Sequence, residues 1–171
     1  MSRSDRIRTR RILREAEGYL ELGMPDHALK NLDRITDPAT FRGQALYLRG
    51  EALRALRRHR EALSHLEEAA DLAPSNVQIW VALGWCYKRT GRLDLAIEAL
   101  EQALERDHGG GIVPYNLACY WSLAGNKERA LEFLSQALAI HPDYRDMVGK
   151  ERDFDPLRSD PDFQSLVSVI V

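Results

Sequence analysis

Apolar positions in this chain recur at helical spacing, and the whole pattern recurs 34 residues later. In residues 77–110, Trp80, Leu83 and Tyr87 are three and four apart, which places them on one helical face. Gly84 lies on that face, where a missing side chain lets another helix approach closely. Gly91 ends the run and reads as a left-handed C-cap. Leu93, Ala96, Leu100 and Ala103 then form a second apolar face. The segment predicts a helical hairpin with a tight turn at Arg89–Leu93. Small residues keep the same period: Ala16, Gly50, Gly84 and Ala118; Ala28, Ala62, Ala96 and Ala130; Ala69, Ala103 and Ala137. A lone helix pair cannot bury its apolar stripe. Stacked pairs can, and small residues set how closely they pack.

Four units follow without insertion, at 9–42, 43–76, 77–110 and 111–144, after a basic lead over 1–8. The third carries Trp80, Leu83, Gly84, Tyr87 and Ala96, with Leu100 at the next aromatic slot. His108 holds the closing proline slot, which Pro74 and Pro142 fill in the neighbouring units. These residues fit the tetratricopeptide pattern W-x₂-L-G-x₂-Y…A-x₃-F…P. The chain therefore resembles a four-repeat tetratricopeptide protein over residues 9–144. That resemblance implies an all-α, right-handed superhelical solenoid of antiparallel helix hairpins, with Trp80 and Tyr87 in its core.

Three positions depart from the pattern. Glu15 and Arg49 stand where it has leucine, and are expected to be paired or snorkelling charges. Arg57 stands where the other turns have Gly23, Gly91 and Gly125. If that turn keeps its left-handed residue, Arg57 costs about 1 kcal/mol relative to glycine.

Residues 145–171 break the period. RDMVGKERDF fits a short capping helix, and Pro161 after Asp160 opens a helix over about 161–169. The segment resembles the tail that closes bacterial tetratricopeptide chains. By that likeness Phe154, Leu157, Phe163 and Leu166 cover the core of the last repeat.

By the same resemblance, the first helix of each hairpin lines a concave groove. The candidate ligand-binding residues are Tyr47, Glu51, Arg54, Gln78, Val81, Trp85, Lys88, Arg89, Ile112, Tyr115 and Cys119. The helical wheel adds its own support. Trp85 lies off the Trp80–Leu83–Tyr87 face, and Val81, Trp85 and Lys88 form a separate stripe. An aromatic stripe beyond the core stripe needs something to cover it. A partner in the groove and the chain's own tail are both open at this point. The mixed lining suits a peptide with apolar anchors and an acidic residue or two. One tetratricopeptide subfamily grips chaperone tails with a Lys, Asn, Asn, Lys and Arg clamp. The matching slots hold Leu13, Glu17, Leu48, Gln78 and Ala82 from the first repeat, so that clamp is absent. From the second repeat they hold Tyr47, Glu51, Ala82, Ile112 and Asn116, which also fails.

Composition narrows the remaining classes. Hydrophobic content of 44% with 29% charged residues argues against disorder. A net charge of −2 gives no overall field for nucleic acid or anionic lipid. Charge is uneven, with six Arg against one Asp in residues 1–14 and seven acids against four bases in 143–162. That asymmetry allows a head-to-tail homo-oligomer, and a self-assembling structural protein is the alternative to a peptide-binding scaffold. Arg54, Arg57, Arg58, His59 and Arg60 form a second basic cluster, read as solvated charge or as a site for an acidic protein or nucleic acid. No aromatic is interleaved there in sequence, so stacking on bases is unsupported. Cys86 and Cys119 lie within predicted helices and outside any CxxC pattern, as expected of reduced thiols in a cytoplasmic protein. The N-terminus has no apolar signal region, and no run approaches the roughly 18 apolar residues of a membrane span. The histidines show no metal-ligand spacing, and no cofactor motif is present. Gly109–Gly111 has no following Lys-Ser or Lys-Thr and reads as a flexible hinge, not a phosphate loop. The chain is expected to be non-catalytic.

Overall fold

The structure, a computed structural model, describes residues 2–107 and 109–168. His108 at the missing proline slot, and position 169 at the expected end of the last helix, lie outside them. The described residues form helices and turns without strands. The chain divides into two compact units, Met1–Arg92 and Leu93–Val171.

The first unit contains α1 (Arg3–Glu21), α2 (Pro25–Leu32), α3 (Arg42–Ala55), α4 (His59–Leu72) and α5 (Val77–Arg89). Ser2 and Asp5 close a reciprocal capping box on α1, and the Asn76 side chain caps α5 through the Gln78 N–H. Each helix packs on the next, and α3 also contacts α1 and α5. The turns after α1, α3 and α5 each place one residue at positive φ: Gly23 at 69°, Arg57 at 62° and Gly91 at 78°. The second hairpin thus keeps the left-handed turn although it lacks the glycine. Glu15 pairs with Arg11 and Arg34, and Arg49 with Asp33 at 2.7 Å, so both charges at leucine slots are partnered.

The second unit contains α6 (Leu93–Leu104), α7 (Ile112–Leu123), α8 (Lys127–Ile140), α9 (Tyr144–Val148), a 3₁₀ turn (Arg152–Leu157) and α10 (Pro161–Ser168). Here α7 packs on α6, α8 and the 3₁₀ turn, and α10 packs on α8. Asp160 accepts from the Asp162 and Phe163 N–H groups, so it caps α10 as its sequence position predicts. Phe154, Leu157 and Phe163 are buried, and Leu166 is half-buried.

All eleven small residues on the 34-residue period are buried, nine of them alanines with no exposed surface. At Gly50 the cause is explicit. A Cβ there would lie 2.5 Å from Leu66 Cγ, and Leu66 is itself fully buried. Gly111 is equally constrained, since a Cβ would meet His141 Cδ2 at 2.6 Å. The triglycine therefore ends in a place of close approach, at Gly111.

The core of α5 differs from its sequence expectation. Leu83 and Gly84 are buried, but Ile79, Ala82 and Cys86 join them, while Trp80 and Tyr87 are half-buried. Both rings carry polar atoms that need partners. Trp80 Nε1 donates to the Pro74 carbonyl at 2.8 Å, and the Tyr87 hydroxyl donates to Glu67 at 2.8 Å. They seal the margin of the core with their apolar bodies and keep their polar ends at its edge.

Candidate functional site

The candidate residues of the first unit sit on two adjacent helices. Tyr47, Glu51 and Arg54 come from α3 at spacings of four and three. Val81, Trp85 and Lys88 come from α5 at the same spacings, with Gln78 and Arg89 beside them. Trp85 is the centre of the arrangement. The Arg54 guanidinium lies 5.1 Å from its ring centroid and that of Arg89 lies 4.9 Å away. The His59 ring, from the start of α4, meets it edge-on at 4.8 Å. Arg54 is itself held by Glu51 through two hydrogen bonds of 2.8 and 2.9 Å. Trp85 thus remains half-buried, its ring held between two guanidinium groups and the His59 ring.

Electrostatics follow the packing. Burial pushes the Tyr47 hydroxyl up to about 12, with Glu51 adding to the effect, so it stays a neutral donor. Burial also raises the Cys86 thiol to about 11, which makes it a poor nucleophile at neutral pH. His59 is held below its ordinary value by burial first, then by Arg89, Arg57 and Arg54. Gln78 and Arg89 are exposed, and Val81 and Lys88 are half-buried. Toward α1, a cavity of about 220 Å³ is lined by Arg10, Leu13, Glu17, Phe41 and Gln44. Gln44 donates to Glu17 there at 2.8 Å, and Arg10 lies 5.5 Å from the Phe41 ring centroid.

The second unit treats its candidates differently. Ile112 is exposed, but Tyr115 and Cys119 are buried, at 3% and 2% exposure. The Tyr115 ring packs against Tyr144 at 5.2 Å and against Phe154 at 5.9 Å. Ser122, one turn farther along α7, donates to the Asp153 carbonyl at 2.8 Å. The expectation that Tyr115 and Cys119 line an open groove is corrected here, because the C-terminal segment covers them. Burial, followed by neighbouring acidic groups and thiols, raises the Tyr115 hydroxyl well above its usual range. Trp121 on α7 is half-buried and has Arg129 at 5.3 Å from its ring.

Folding of the tail also makes a cluster that histidine spacing could not reveal. Cys119 Sγ and the carboxylates of Glu151 and Asp153 offer atoms within 4.8 Å of one another. Glu151 is already used to accept from the Asp153 N–H. One thiol and two carboxylates fall short of a closed four-ligand set. Both cysteines are buried, and neither is in a disulfide.

The comparisons with known proteins bear on the fold and its repeats. The tetratricopeptide repeat family profile matches residues 47–111. The crystal structure of MamA superposes with a TM-score of 0.71 at 22% identity, covering 81% of each chain. The chain carries tetratricopeptide repeats. Its all-α fold is that of other proteins in this family. MamA residues 41 to the end, from Desulfovibrio magneticus RS-1, match with a TM-score of 0.72 at 18% identity over 92% of both chains. YrrB, described as a tetratricopeptide protein with an unusual peptide-binding site, is 25% identical with a TM-score of 0.69, covering 79% of this chain and 70% of that one. Among curated proteins, Anaphase-promoting complex subunit 7 of Mus musculus is 31% identical over 112 residues, 64% of this chain and 20% of its own length. Superkiller protein 3 of Schizosaccharomyces pombe is 31% identical over 80 residues, 47% of this chain and 6% of its own. This tetratricopeptide chain thus spans a small part of the curated relatives it matches. Proteins of the family generally serve as interaction scaffolds. No helix among the described residues is long and apolar enough to cross a membrane.

Proposed function

We propose that this tetratricopeptide protein is a non-catalytic scaffold that binds a protein or peptide segment on the α3–α5 face. Tyr47, Val81 and Trp85 supply its apolar surface, and Arg54, Lys88 and Arg89 its positive charge. The observation carrying this reading is the treatment of the equivalent stripe on α7. There the chain's own segment 151–157 lies over Tyr115, seats Phe154 and takes a hydrogen bond from Ser122. A stripe of this type therefore accepts a short 3₁₀ segment, with one aromatic anchor and a carbonyl contact. On α3 and α5 the corresponding stripe stays outside the core and partly accessible. The expected ligand carries an apolar anchor and acidic neighbours.

Peptides selected from a displayed random library against the whole protein test the assignment. They should share an apolar residue near an acidic one. Trp85→Ala combined with Tyr47→Ala should weaken them by about tenfold or more while helical circular dichroism is retained. Unchanged affinity in that folded variant would show that another surface binds.

Self-assembly is the second reading, motivated by the basic lead and the acidic tail. Much of the tail's acidity is already engaged internally. Lys127 pairs with Asp160 and Asp162, each at 2.7 Å, and Arg158 pairs with Asp155. Those pairs weaken the case for a head-to-tail contact. A mass that stays monomeric at low salt and high concentration would end it.

A further inference from the structure

The turn between α3 and α4 carries more positive charge than the fold consumes. A cleft of about 410 Å³ opens there, lined by Arg57, Arg58, Arg60 and Arg89 with His59 and a single carboxylate, Glu61. Arg58 engages that carboxylate through two hydrogen bonds of 2.8 and 2.6 Å. Arg57, Arg60 and Arg89 make no salt bridge among the described residues. Arg57 holds a backbone position at φ 62° that the neighbouring turns give to glycine. A strained residue bearing an unspent charge beside two others suggests use. His59 Nδ1 is buried at this cleft without a hydrogen-bond partner. The first turn of α4 also lacks a side-chain cap, so the helix dipole adds to the positive potential.

We propose that this cleft binds a phosphate monoester carried on a side chain of the protein partner. Two guanidinium groups without an ion pair or ring partner, Arg57 and Arg60, together with Arg89 held over Trp85, match the charge and the several acceptor oxygens of a phosphate better than the single charge of a carboxylate. Nucleic acid fits less well. No Phe, Tyr or Trp lines the cleft, and Trp85, which meets its His59 edge-on, already has Arg54 and Arg89 near its ring, so no free platform for a base is offered. Arg89 belongs both to the cleft and to the α3–α5 face. A bound segment would thus lie beside its phosphate site, and this part of the proposal rests on the function proposed above.

Inorganic phosphate titrated into the full chain at low ionic strength, followed by the His59 ring resonances, tests the anion site. Arg60→Gln and Arg89→Gln should each weaken binding by about tenfold. Arg57→Gly should weaken it too while raising the unfolding temperature, so its loss of binding cannot come from unfolding. Unchanged phosphate affinity in all three variants overturns the site. A selected peptide should then bind more tightly with a phosphoserine beside its anchor than without, and Arg60→Gln should erase the difference. Equal binding of the two forms overturns the protein-borne assignment. So does an oligonucleotide that binds more tightly than the phosphopeptide and is lost in the same variants. Tyr47→Ala should lower peptide affinity and leave inorganic phosphate binding intact, which separates failure of the α3–α5 face from failure of the cleft.

Discussion

Arg57 occupies a backbone conformation that favours glycine, at φ 62°. Arg57→Gly should therefore raise unfolding free energy by about 1 kcal/mol, measured by urea denaturation. A second residue-scale effect concerns acid. Burial holds His59 and His65 below their ordinary value of about 6.5, with nearby arginines adding to it. The unfolded chain then takes up protons before the folded one does. Stability from these groups is intact above about pH 6.5 and declines as pH falls below it. The unfolding temperature should drop between pH 7 and 5, and His65→Gln should flatten that drop. Single residues differed in how legible they were. The period assigned Arg57 its turn position because three glycines mark the slot. It did not separate Ile79 and Cys86 from Trp80 and Tyr87. A helical wheel gives the centre of a stripe but not its width, and the polar ends of the two rings decided which side chains stopped at the edge.

Between elements, the small-residue period is what allows helices to meet. Gly50→Ala would drive a methyl group toward Leu66, which has no free space in which to turn away. It should destabilise the protein by about 1–3 kcal/mol, measured by thermal and urea unfolding. An unchanged unfolding free energy would mean that α3 and α4 are held apart by other contacts. The helices and their turns were legible because period, caps and left-handed residues agree locally. The covering of α7 was legible only in part. The tail's apolar residues were recognisable, and Phe154, Leu157 and Phe163 are indeed buried. Their seat over Tyr115 was not, because it depends on the path of the chain after α9 and on the Ser122 contact with the Asp153 backbone. A backbone acceptor leaves no trace in residue type.

For the molecule as a whole, the family and the candidate face have different supports. The tetratricopeptide fold follows from the repeat and from its likeness to solved proteins of that fold. The proposed binding face rests on one asymmetry: α7 has its stripe filled from within, while α3 and α5 keep theirs partly accessible. Sequence alone gave the same slots to all of these helices, since register carries no information about which slots the tail will occupy. The most direct test is a map of backbone amide shifts as a selected peptide is titrated into the full protein. The account predicts that the largest shifts cluster at Tyr47, Glu51, Arg54, Val81, Trp85 and Lys88. Shifts confined to α2 and α4, with those six residues unmoved, would contradict it.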